Sequence, residues 1–144
     1  MLTPKYDYGI CSMVNFYEQP QNSVDVLLVG TSMFYSGVNT NVLWAEYGIP
    51  AYNLFSEEQT FWISYYMIRE ALKTQQPKVI LLDAQSARYE DSYSKPARTI
   101  LSTFGFQGLE NRVGTIFACV EDPREALELA AGLPAVHQNL ERIT

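Results

Sequence analysis

The sequence predicts an α/β domain built on a parallel sheet, and three observations carry that prediction. Two runs, 24–29 (V-D-V-L-L-V) and 79–82 (V-I-L-L), are near-continuous in β-branched and aliphatic residues, the pattern of strands covered on both faces. Between them lie two stretches with helical signals and one short apolar run, which gives the order strand, helix, strand, helix, strand by Asp83. The two long runs close on Gly30 and Asp83, at the carboxyl ends of strands where open α/β sheets place their ligands.

Taken in order, residues 1–23 are rich in Tyr, Asn, Gln and Pro and show no sustained period. They read as an irregular lead-in that packs Tyr6, Tyr8, Phe16 and Tyr17 onto a single domain spanning 24–144. After the first strand, Gly30 lets the backbone turn, and Thr31 and Ser32 come next. Asn39 or Thr40 then caps a short helix through Val42, Leu43 and Trp44 that stops at Gly48. Residues 51–54 form a brief second strand. Ser56 and Gln59 have capping-box spacing, and Ile63, Tyr66, Met67 and Ala71 recur at helical intervals through 61–74. Gln75, Gln76 and Pro77 break that helix ahead of the third strand. Beyond it, 86–96 reads as a polar, tyrosine-bearing loop over the carboxyl edge, and 100–106 as a helical piece weakened by Gly105 and Gly108. Asp122, Pro123 and Glu125 mark a helix start, and Gly132 and Pro134 its end. Three clear strands fall short of the about five or six of a doubly wound sheet. The expectation is therefore an incomplete sheet with apolar surface uncovered and self-association through an exposed edge.

Composition narrows the function classes. A net charge of −6 with ten scattered Lys and Arg lacks the clustered cations that nucleic acid requires. No apolar run approaches the roughly 20 residues that span a bilayer, and the first residues lack the apolar core of a signal peptide, so no membrane segment is expected. Cys11 and Cys119 either pair or remain free, with buried free thiols the plainer reading. No Cys/His spacing suggests a metal, and no cofactor is implied.

The residues that carry chemistry all come after strands. Ser32 is either a nucleophile held exposed beyond a buried strand or part of a polar G-T-S turn that caps the next element. Asn53, read as ending the second strand, either donates to an oxyanion or satisfies loop backbone. Glu57 and Glu58 are either an acid/base pair or, first of all, adjacent carboxylates that match the dipole of a helix start. Asp83 orients a site, caps a turn or pairs with Arg88. The run Trp62, Tyr65, Tyr66 and Met67 reads as core and groove wall, and His137, the one histidine, as a surface residue.

The segments V-L-L-V-G-T-S, G-V-N-T-N-V-L-W-A-E-Y-G-I-P-A-Y-N-L and Y-Y-M-I-R-E-A-L-K-T-Q-Q-P-K-V-I-L-L-D resemble the front half of bacterial SGNH (GDSL-type) hydrolase-like proteins, in the branch near cell-surface polymer O-acylation proteins. The likeness runs over roughly 15–91. It implies a three-layer, flavodoxin-like sheet with Ser32 at the nucleophile position. Gly30, Asn53, Glu58 and Asp83 become the oxyanion and site-edge candidates. The implied substrate is an acyl ester of a carbohydrate or cell-envelope polymer, and the full-length setting is extracytoplasmic and membrane-anchored. Glu58 stands where the family has a glycine, Q-S-A-R lacks the family's asparagine, and P-A-V-H lacks its aspartate. These departures imply an N-terminal part, inactive alone, or a non-catalytic domain that binds a glycan or protein.

Overall fold

The computed structural model describes residues 8–89 and 101–131. Strands β1 (Val26–Gly30), β2 (Ala51–Phe55) and β3 (Val79–Leu82) form one parallel sheet in the order β2-β1-β3. The helices are α1 (Tyr8–Tyr17), α2 (Ser32–Gly37), α3 (Thr40–Tyr47), α4 (Phe61–Ala71), α5 (Leu109–Cys119) and α6 (Pro123–Ala130), with 3₁₀ turns at Ala84–Tyr89 and Leu101–Gly105. The mixed α/β architecture is the one the apolar runs imply.

Strand alternation assigns the layers. Leu27 and Val29 lie in register with Tyr52 and Leu54, so these four side chains share a face. Against that face Met13 and Phe16 of α1 pack together with Ile63, Met67 and Ala71 of α4 and with Phe106. On the opposite face α2 lies over β1 and β2, with Tyr35 stacked on Phe55 at 4.3 Å. Helix α5 packs on α4, and α6 joins α5 through a second small cluster of Ile116, Val120, Ala126 and Leu129.

The caps arise from local chemistry. Asn39 accepts from the Asn41 amide to start α3, which Gly48 ends at φ 65°. Asp122 accepts from the Arg124 amide to start α6, with Pro123 in its first turn.

The structure corrects the sequence reading in several places. The lead-in contains α1, because Ile10, Met13 and Phe16 place buried side chains along one face of a helix. Ser56 is not a helix cap: Thr60 accepts from the Ile63 amide, while Ser56 and Gln59 bond side chain to side chain at 3.0 Å in the turn before α4. Helix α4 ends at Ala71 rather than running through Thr74. Of the aromatic run, Met67 is core, whereas Trp62 and Tyr65 are exposed. Above all, β3 is not covered on both faces. Its four residues are 47, 38, 45 and 46% exposed, because it borders β1 on one side and nothing among the described residues on the other. Residues 90–100 and 132–144, with Tyr93, Pro96, Gly132, Pro134 and His137, lie outside the described residues, as do the first seven.

Candidate functional site

The carboxyl end of β1 is organised by one contact. Gly30 is succeeded by Thr31, whose main-chain N–H and hydroxyl both donate to Asp83 Oδ2, at 3.2 and 2.5 Å. The same hydroxyl accepts from the Met33 amide at 3.2 Å and so caps α2. Asp83 Oδ1 accepts from the Gln85 amide at 2.9 Å and caps the turn after β3. Burial pushes the Asp83 carboxyl upward, but the Thr31 hydroxyl and the Gln85 and Thr31 amides outweigh it and hold the group below its usual range.

Gly30 serves this contact rather than a left-handed turn. A Cβ at position 30 would overlap the Cβ of Asp83, and among the described glycines the one with positive φ is Gly48. The glycine lets β1 and the residue after β3 approach closely enough for the Thr31–Asp83 bonds to form.

Ser32 is the first residue of α2 rather than part of a turn before it, and it is exposed. Its hydroxyl takes no hydrogen bond from the described residues, although both its neighbour and its neighbour's partner are fully committed. Asn53 is the middle residue of β2, not its end; its Nδ2 donates to the Phe34 carbonyl at 3.1 Å, and its Oδ1 is buried without a partner among the described residues. Glu58 lies in the turn between β2 and α4 at φ 49°, a left-handed conformation that favours glycine. The structure thus joins Gly30, Ser32 and Asp83 in one locus, while Asn53 anchors the middle of α2 and Glu58 stands in the next turn.

A second feature lies beside β2, between α1 and the α2–α3 segment. A cleft of about 520 Å³ opens beside α2, bounded by Asn15, Tyr35, Asn39, Asn41, Tyr52 and Asn53, with no charged side chain on its wall. Burial, with some help from Glu18, pushes the Tyr52 hydroxyl up to about 12, and that hydroxyl donates to the Ser12 carbonyl at 2.9 Å.

Sequence reasoning missed a buried carboxylate. Glu70 accepts from Tyr17 Oη (2.6 Å), the Gly108 amide (2.8 Å), Asn111 Nδ2 (2.5 Å) and Lys73 Nζ (2.9 Å). Burial pushes Glu70 upward, yet these four donors together hold it below its ordinary value. Its partners come from α1, from the residues just past α4 and from the start of α5, so the group is a structural node; the one local signal was a carboxylate on the apolar face of α4. Cys11 and Cys119 are both free but, against the expectation of buried thiols, Cys11 is exposed and Cys119 half-buried, where burial pushes its thiol up to about 11. Among the described residues no cluster of His, Cys, Asp and Glu suits a metal, and no helix is long and apolar enough to cross a membrane.

Fold and site define a small parallel α/β domain with an exposed serine beyond the carboxyl end of its central strand. Compared with protein-family models, curated proteins and solved structures, the chain matches none.

Proposed function

We propose that this chain is the nucleophile-bearing part of an SGNH-type esterase or O-acyltransferase acting on acyl esters of carbohydrate or cell-envelope polymers. The observation that carries the reading is the exposed hydroxyl of Ser32, unengaged among the described residues, in the first turn of α2, whose capping Thr31 is held by Asp83. The strand order supports it, since β2-β1-β3 is how a flavodoxin-like sheet begins, with its ligand crevice between β1 and β3. Ser32 and Asp83 lie just past those two strands.

In the reaction, Ser32 Oγ attacks the acyl carbonyl while a base takes its proton. The tetrahedral intermediate then expels the alcohol, reprotonated by that base, and water or an acceptor hydroxyl removes the acyl group. Asp83 is a poor base, being committed to three donors and held acidic. The base therefore comes from outside the described residues, and because P-A-V-H has no aspartate at the matching spacing to His137, the chain alone is expected to turn over at near-background rates. The test is chemical rescue: the chain is incubated with an activated acetyl ester, with and without imidazole, and acetylation is mapped by mass spectrometry. Imidazole-dependent acetylation of Ser32 well above that of exposed Ser36 supports the reading. Equal labelling of the two serines sinks it.

The neutral cleft favours a second reading, a non-catalytic domain that binds a glycan or protein. Amides and hydroxyls beside tyrosine rings suit an uncharged polyhydroxyl ligand. Titration with cellobiose, tracked by chemical shifts of the Asn39 and Asn41 side-chain amides, distinguishes it: saturable shifts favour binding, and unmoved amides discard it for that sugar.

A further inference from the structure

Resting on the reading of Ser32 as a nucleophile, we propose that the cleft beside α2 is its sugar subsite, shaped for a neutral sugar and closed to acidic ones. The cleft seats the sugar with one hydroxyl at Ser32, as the alcohol of an arriving ester or as the acceptor of the acyl group.

Two registers bring the cleft to the serine. Within α2, Tyr35 and Ser36 come three and four residues after Ser32, so the three side chains share one helical face with Cβ atoms about 5–6 Å apart. Tyr35 and Ser36 line the cleft, which therefore opens along the face that carries Ser32. Across the sheet, Phe55 lines the cleft and stacks on Tyr35, and it is paired in register with Gly30, two residues before Ser32. The cleft thus reaches the carboxyl end of β1 from the β2 side.

Its chemistry selects the ligand. Ser12 Oγ is already spent on the outer edge of β2, donating to the Asn53 carbonyl at 3.0 Å and accepting from the Phe55 amide at 3.3 Å. By contrast, the side chains of Asn15, Ser36, Thr40 and Asn41 and the Nδ2 of Asn39 make no hydrogen bond to the described residues. Amides and hydroxyls that both donate and accept match the hydroxyls of a sugar, and the half-exposed Tyr35 ring offers an apolar surface to its C–H face. Neither Lys nor Arg lines the cleft, so a carboxylate or phosphate there would give up water without gaining a cation. Neutral sugars are admitted, and uronates and phosphorylated sugars are refused.

The test is acyl transfer from preformed acetyl-Ser32. The full chain is acetylated with the activated ester and imidazole, freed of excess ester, and given cellobiose, xylobiose or digalacturonate, again with imidazole. A sugar hydroxyl attacks the acetyl carbonyl while imidazole takes its proton; the bond to Ser32 Oγ then breaks, the proton returns to that oxygen, and the acetylated sugar leaves. Mass spectrometry follows both products. Cellobiose or xylobiose should discharge acetyl-Ser32 saturably and about tenfold faster than digalacturonate does. Asn41→Ala should shrink that ratio, and Asn41→Arg, which supplies the missing cation at an exposed position, should shift it toward digalacturonate. If Ser32 is not acetylated in preference to Ser36, the nucleophile reading falls and this inference with it. If Ser32 is acetylated but neutral and acidic disaccharides discharge it alike, or both Asn41 variants keep the wild-type ratio, the subsite is overturned while the nucleophile stands.

Discussion

At the scale of single residues, the tightest constraint is the contact between Gly30 and Asp83. A methyl group at position 30 has no space, so Gly30→Ala must push the two strand ends apart and strain the Thr31 bonds. The cost is about 1–3 kcal/mol, read as a lowered urea midpoint with unchanged slope. Glu58 presents the reverse case. Its φ of 49° burdens a non-glycine residue, so Glu58→Gly should raise stability by up to about 1 kcal/mol, and a midpoint that falls would refute the strain. Glu70 and Asp83 set the acid response. Both are more acidic folded than at their unfolded values of 4.5 and 3.8, so their stabilisation is complete above those values. It is lost as pH falls through the lower folded values, because the unfolded chain then binds protons that the folded chain refuses. The melting temperature should fall below about pH 4.5, and Glu70→Gln should flatten part of that fall.

At the scale of elements, what the sequence disclosed depended on whether a segment's own pattern or its neighbour's shape decided it. Strands β1 and β3 announce themselves by apolar runs, and α3 and α6 by Asn39, Gly48, Asp122 and Pro123, all local signals. Helix α5 was hidden by Gly114, which interrupts its pattern because a Cβ there would enter the ring of Tyr66 on α4. Helix α2 buries no side chain and so has no apolar stripe to find. Helix α1 was masked by its polar residues, one of which is its most consequential. Ser12 closes the outer edge of β2, a role that only the assembled fold reveals. In the site, the proximity of Ser32 to Asp83 was legible from strand ends, but the commitment of Asp83 to Thr31 was not, since two polar side chains at neighbouring strand ends carry no mark of which bonds they make. Ser12→Ala removes two hydrogen bonds, at about 1–2 kcal/mol together, and bares a second edge. Amide exchange at Phe55 should accelerate sharply, and protection unchanged from wild type would show that something else seals the strand.

At the scale of the whole molecule, stability is divided unevenly. The larger cluster, from Met13 and Phe16 through Leu27, Val29 and Leu54 to Ile63 and Met67, binds the sheet to α1 and α4. The smaller one holds α5 to α6 with four buried side chains, and α6 contributes only Ala126 and Leu129 to it. The pair is joined to the body by the packing of α5 on α4, by the Arg112 guanidinium 3.9 Å over the Phe104 ring, and by the Glu70 node, where Gly108 and Asn111 meet the carboxylate. A segment with so little buried apolar area opens by local fluctuation well below the free energy of global unfolding. Native-state hydrogen exchange should therefore find the amides of 123–130 exchanging much faster than those of 27–29 in β1. Glu70→Ala, which strips the start of α5 of its charged acceptor, should extend that fast exchange across 109–119 while β1 keeps most of its protection. Uniform exchange across both regions, with one rate falling everywhere in the variant, would mean that the α5–α6 pair and the sheet unfold as a single unit, and that the node fastens the entire fold rather than one end of it.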